Sequence, residues 1–292
     1  MTTPTIAMET HTLEVPGAVL TYDVRQGTGS GEPTLLLIGY PMAAAGFNTL
    51  AGHFTDRTVV TYDPRGSERS VREPGTPTTT PDIVADDLHA LISALGVEPV
   101  DMFASSGGAI DALALVARHR SDVRKLVAHE PPLCAVLPDS RECAAAVKDI
   151  HDTYQQRGWG HSMAKFMAVV MHQGSIPADW ASRPAPDPAM FGMPADDDGK
   201  RDDPMFSAIV ETTGYQPDFD ALRKAEARIV IAAGEKGEGT MANRGAHGVA
   251  QQLGLEPVIF PSDHGGFLGG EYGWPGQPEM FAANLHEVLA GA

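Results

Sequence analysis

The sequence predicts an α/β fold: a mostly parallel central sheet flanked by helices, interrupted once by a helical insertion. Three observations carry this reading. Short apolar runs of strand length alternate with amphipathic helical stretches, the pattern of parallel strands joined by crossover helices. The alternation stops after "EPP" at 130–132 and resumes at "RIVIAAG", 228–234. One strand also passes into a helix within two residues, at "MFASSGGAID", 102–111.

Taken in order, "TLEV" and "AVLTYDV" read as strands, and the Gly-rich "GTGSGEP" before "TLLLI" reads as a hairpin loop. No Lys-Ser/Thr pair follows those glycines, so a phosphate loop is excluded. "GFNTLAGHF" gives a short helix and "TVVTYD" a buried strand. "PDIVADDLHALISALG" opens on Pro and acids, closes on Gly, and repeats apolar residues at helical spacing. "PVDMFA" is a strand, "GAIDALALVARH" a helix and "VRKLVAH" a strand. After the interruption come "RIVIAAG", the helix "MANRGAHGVAQQLG", the strand "EPVIF" and a last helix at "PEMFAANLHEVLA".

The interruption contains "RECAAAVKDIHDTYQQRG" and "HSMAKFMAVVMHQ" as its clearest helices, then a stretch rich in Pro, Asp and Met. The expected organisation is therefore a core of 1–132 and 227–292 with a helical insertion over 133–226. Met163, Phe166, Met167 and Met171 follow i, i+3, i+4, i+8 spacing and should share one helical face.

Composition narrows the function. The chain has 292 residues, 42% of them hydrophobic and 20% charged, with a net charge of −17. No basic run provides the footprint a nucleic-acid partner needs. No apolar stretch approaches the roughly 20 residues of a membrane span, and the N-terminus lacks a charged start followed by an apolar core. The two cysteines, Cys134 and Cys143, have no close metal or redox spacing. A cytoplasmic protein with reduced thiols and no cofactor is expected; a homodimer is left open. "HEPPL" is not half of a zinc motif, because two prolines forbid the helix that motif requires. The acidic "ADDDGKRDD" does not match a calcium loop, so no metal is expected.

At "FASSGG" a sharp strand-to-helix turn requires small residues two before and two after the turn residue. Ser106 has Ala104 and Gly108 there, whereas Ser105 has Phe103 and Gly107. Ser106 is the nucleophile candidate.

With "LLLIGYPM" (35–42), "YDPRGSERS" (62–70), "FASSGG" and "SDHGGF" (262–267) in this order, the chain resembles the α/β-hydrolase fold superfamily over nearly its whole length. The segments look like the family's His-Gly-x-Pro, Asp-x-Arg-Gly-x-Gly-x-Ser, nucleophile-elbow and catalytic-histidine stretches. Two positions depart from it: Ile38 stands where the family often has His, and Glu68 where it often has Gly.

The family order of Ser, acid, His implies His264 as the base that takes the serine proton. In the commoner arrangement the acid follows the strand "RIVIAAG", yet Gly237 occupies its usual place, with Glu235 and Glu238 beside it. A second arrangement puts the acid at the end of the strand after the nucleophile's helix, where "HEPP" places Glu130. Haloalkane dehalogenases in part and zearalenone-type lactone hydrolases resemble this layout. Glu130 is the first choice, Glu238 the second, and Glu235 or Asp263 complete the set. A carboxylate at a buried strand end is costly unless paired, which favours the first choice.

The resemblance further implies oxyanion donors at the backbone N–H groups of Gly107 and Tyr40, with the insertion as a helical cap. Met42, Met163, Met167, Trp180 and Phe191 are candidate substrate contacts in an apolar pocket. The expected function is a serine hydrolase cleaving a carboxylic ester or lactone of a hydrophobic small molecule. Thioesterase, peptidase and carbon–carbon hydrolase chemistry use the same triad, and a ligand-binding protein or cofactor-free lyase or oxygenase is the alternative.

Overall fold

β1 (Met8–Val15) and β2 (Ala18–Arg25) form a hairpin that enters the sheet antiparallel, in a computed structural model describing residues 8–29, 31–97 and 99–291. The N-terminal reading above falls in part on residues 1–7, outside the described residues. β2 also pairs antiparallel with β4 (Val59–Asp63) and with the short β5 (Val71–Arg72). All other pairs are parallel. They join β3 (Leu35–Tyr40), β4, β6 (Val100–Ser106), β7 (Val123–His129), β8 (Arg228–Gly234) and β9 (Val258–Phe260). The order across the sheet is β1-β2-β4-β3-β6-β7-β8-β9.

The Gly-rich loop before "TLLLI" is not a hairpin. It joins β2 to β3, and β4 lies between them. A fully apolar strand signals burial on both faces but carries no information about its neighbours, so its sequence does not separate a hairpin from a crossover.

The central strands bury alternate residues on opposite faces, as a pleated strand must. Leu36, Ile38, Met102 and Ala104 pack on one side, against α2 (Pro81–Leu95), α3 (Gly107–Arg118) and α8 (Met241–Leu253). Leu35, Leu37 and Phe103 pack on the other, against α1 (Asn48–Gly52) and α9 (Pro278–Ala290). The ends of α2 are those its sequence predicts. Thr80 accepts a cap bond from Ile83 N, Pro81 opens the first turn, and Gly96 closes the helix at φ 66°.

Between β7 and β8 lie α4 (Ser140–Arg157), α5 (Trp159–Val170), α6 (Pro204–Thr213) and α7 (Phe219–Arg223). The first three bury a cluster of their own around Tyr154 and Phe206, whose rings stack at 5.2 Å. Leu222 of α7 and the nearby Ala227 instead join the main core, so the separate helical layer ends before α7. On α5, Met163 and Phe166 pack inward, Met167 is half-buried and Met171 is exposed. Met171 caps the helix in helical register, with its N–H on Met167 O, but lies beyond the packed part of that face. Among the described residues no helix is long and apolar enough to cross a membrane.

Candidate active site

The C-terminal ends of β3, β6, β7 and β8 converge beneath α5 and α6, where the open edges of a parallel sheet leave room for a ligand. A cavity of about 580 Å³ sits there, lined by Ser106, His264, Tyr40 and Met42 from the core. Trp159, Met163, Phe166 and Met205 line it from the helical layer.

Ser106 ends β6 and caps α3 at φ 59°, ψ −129°. A non-glycine residue held at positive φ is strained, and such strain persists only where neighbours over-determine it. The neighbours here are tight. A Cβ on Gly108 would lie 2.7 Å from Gly39 Cα, and one on Gly107 would lie 2.8 Å from the Tyr40 carbonyl oxygen. Ser105 also lines the cavity, but its hydroxyl is engaged elsewhere. It is buried, and its Oγ lies 3.0 Å from His129 Nδ1.

Glu130 follows β7 at φ 48° and is fully buried. Its backbone N–H donates to Ala232 O, tying the turn to β8. Oε1 accepts from Gly234 N at 2.9 Å and Asn243 Nδ2 at 3.0 Å. Oε2 lies 2.6 Å from His264 Nδ1. Burial pushes this carboxyl up, but the His264 hydrogen bond, the charges of His264 and His129, and the Gly234 N–H together hold it near 2. An ionised Oε2 is an acceptor, so the His264 proton sits on Nδ1 and leaves Nε2 as the basic nitrogen.

The other acids fall elsewhere. Glu238 and Glu235 are exposed, and Glu235 Oε1 accepts from Ser262 N. Asp263 Oδ1 accepts from Gly265 N and Trp274 Nε1. Gly237 explains its own identity: a Cβ there would lie 2.9 Å from Glu130 Oε1. The carboxylate reaching in from β7 occupies the space that a side chain at 237 would need.

Asn243 and His129 complete the surroundings, and no motif announces either. Asn243 is buried on α8 and also donates to Gly234 O at 3.1 Å. His129 is fully buried among Phe103, Phe260, Phe267 and Phe281, and burial pulls its ring down to about 4. Its place beside Glu130 in "HEPP" is the only signal the sequence offers.

Tyr40 ends β3 opposite Ser106 in the parallel register. Its phenol is pushed up by burial and then by Asp111 and Asp203, stays protonated, and donates to Pro204 O at 2.6 Å. That bond links the core to α6. Of the five expected substrate contacts, Met42 and Met163 line the cavity; Met167, Trp180 and Phe191 do not. Trp180 packs on His172 and Arg183 instead. Periodicity places residues on a helix but does not say which part of that face meets empty space.

The loop "YDPRGSERS" builds scaffold and, through Gly66, Ser67 and Glu68, part of the cavity wall. Asp63 accepts from Ala44 N and Arg69 Nε, and Arg65 pairs with buried Asp87 through two bonds. Among the described residues one group has metal-ligand character: His89, His119 and Asp122, with ligand atoms within 4.8 Å of one another. It lies off the cavity wall, and internal partners already engage both histidines. His89 pairs with Asp122 and His119 with Asp86.

Comparison with known proteins agrees with this architecture. A family model described as the alpha/beta hydrolase fold matches residues 33–157. The chain is 28% identical over 288 residues to the uncharacterized hydrolase YraK of Bacillus subtilis (strain 168), covering 95% of each. A thermophilic esterase from Thermogutta terrifontis superposes with a TM-score of 0.67 at 18% identity, over 97% of this chain and 98% of the esterase. The enol-lactonase from Burkholderia xenovorans LB400 gives 0.65 at 16% identity, over 96% and 100%. Sheet order, strand-end site and these matches agree on one architecture: the chain has the α/β-hydrolase fold.

Proposed function

We propose that this protein is a serine hydrolase that cleaves a carboxylic ester or lactone of a hydrophobic small molecule through an acyl-enzyme on Ser106. The observation that carries the reading is the 2.6 Å contact of His264 Nδ1 with the buried Glu130, in the same cavity as the strained Ser106.

In this reading His264 Nε2 takes the Ser106 proton as Oγ attacks the substrate carbonyl, then returns it to the leaving alcohol. Glu130 keeps the imidazole in the required tautomer and stabilises the imidazolium. The tetrahedral oxyanion is held by the backbone N–H groups of Gly107 and Tyr40, the first at the positive end of α3. Water deacylates the enzyme by the same steps. The layer α4–α6 acts as a cap, and its Met163, Phe166 and Met205 give the site an apolar, adaptable wall. An esterase and an enol-lactonase among the structural neighbours support the same bond type.

The test is hydrolysis of nitrophenyl esters of graded acyl length and of five- to sixteen-membered lactones. Turnover that depends on Ser106 supports the reading. A protein that binds these compounds but releases no acid contradicts it.

A further inference from the structure

The cavity wall carries charge of one sign. Among the described residues that line it, Glu68 and Asp203 are acidic, His264 belongs to the proposed triad, and none is Lys or Arg. Glu68 is exposed at the rim, holds φ 48°, and has no ion-pair partner among the described residues. Asp203 caps α6 through Oδ1, which accepts from Phe206 N, and a cap bond leaves its negative charge in place. Two arginines lie outside this wall. Arg72 and Arg201 lie in a neighbouring groove that shares only Gly66 and Pro204 with the cavity. Arg201 pairs with Asp197, whereas Arg72 donates to neutral Thr76 and its positive field reaches the Tyr40 phenol from outside the wall.

Aromatic faces accompany these carboxylates. Trp159, Tyr272 and Trp274 line the same cavity, and Tyr272 is 67% exposed. Tyr272 stands in a loop with positive φ at Gly270, Tyr272 and Gly273. Glu68 lines the same cavity, and burial, then the carboxylate of Glu68 together with Asp63 and Glu271, pushes the Tyr272 phenol up. An exposed aromatic face beside an unpaired carboxylate is the surrounding that an alkylammonium group prefers, because ring quadrupole and negative charge attract the same cation.

We infer that the substrate carries an ammonium group at the end remote from the scissile ester, held at the rim by Glu68, Asp203 and the Tyr272 face. The inference rests on the ester-hydrolase reading and names the charge of its substrate. An anionic acyl group meets two carboxylates and no counter-ion, so the same rim turns it away.

Three nitrophenyl esters of one length test this. They are the 4-trimethylammoniobutanoate, its uncharged isostere the 5,5-dimethylhexanoate, and the adipate monoester. The expected kcat/KM order is ammonium, neutral, carboxylate, each step about tenfold or more, with the differences residing in KM. Glu68→Gln should compress the ammonium-to-neutral ratio by about fivefold or more. In the unaltered protein the same ratio should shrink as salt is raised from about 0.02 to 0.5 M, since exposed charges are screened over that range. An ammonium ester no better than the neutral one, or a carboxylate ester that matches it, overturns the inference while ester hydrolysis stands. Turnover of none of the three, with no covalent labelling of Ser106, overturns both.

Discussion

His264 Nδ1 lies 2.6 Å from Glu130 Oε2, although 134 residues separate them in the chain. Every other interaction of that carboxylate serves to keep it ionised and still. Gly234 N and Asn243 Nδ2 hold Oε1, which leaves Oε2 for the imidazole. Glu130→Gln retains the shape and removes the charge. It should lower kcat by about 10³–10⁴-fold, as expected when a base loses its tautomer control. Glu238→Gln, at an exposed residue, should stay within about twofold. Steady-state kinetics on a nitrophenyl ester read both.

The relation between Gly237 and Glu130 predicts a second pair of outcomes. Gly237→Asp in the unaltered protein puts a side chain 2.9 Å from Glu130 Oε1 and sets two like charges together. Activity should fall by about tenfold or more. In a Glu130→Ala background the same aspartate enters the space just vacated, and kcat should rise by about tenfold over Glu130→Ala alone. A double variant no better than the single one contradicts the idea that the two positions share one space.

Asn243 donates to both Glu130 Oε1 and Gly234 O from a buried position. Asn243→Leu strips both acceptors of a partner. The expected cost is about 1–3 kcal/mol of folding stability, seen as a lower urea midpoint with the m-value unchanged. Activity should fall as well, because the carboxylate loses one of its two anchors.

Burial of His129 makes stability fall with acid. Its ring titrates near 4 in the folded protein and near 6.5 when unfolded, so between those values the unfolded chain binds a proton that the folded protein refuses. The stabilisation is complete above pH 6.5 and is lost as pH falls through about 4, by about 3 kcal/mol. Glu130 acts lower down. Its carboxyl is held near 2 against 4.5, so its contribution is present above 4.5 and disappears toward 2. Urea midpoints from pH 7 to 4.5 should show the first loss, and His129→Leu should flatten the curve in that window. A slope unchanged in the variant contradicts the assignment.

Much of the fold was legible because alternating strand and helix patterns are local. The α2 boundaries followed from Thr80, Pro81 and Gly96, residues whose chemistry acts within one turn. Ser106 was legible for a related reason, since the elbow is a local steric problem solved by Ala104 and Gly108. Strand neighbours were not legible: β3 carries no mark of lying beside β4 and β6. Nor were Asn243 and His129, whose roles depend on what three other segments bring to the same point. Met167, Trp180 and Phe191 were placed on the cavity by residue type alone, and type does not decide which apolar groups face a void. The preference for Glu130 over Glu238 came from a family layout together with the cost of burying an unpaired carboxylate. The buried carboxylate and its 2.6 Å partner now supply a physical reason for it.

The most direct test of the central claim is covalent labelling by an alkyl fluorophosphonate, read by intact mass and by peptide mapping. The account predicts one adduct per chain, located on Ser106, absent in Ser106→Ala, retained in Ser105→Ala and strongly slowed in His264→Ala. An adduct that survives Ser106→Ala, or that maps to Ser105, would contradict it.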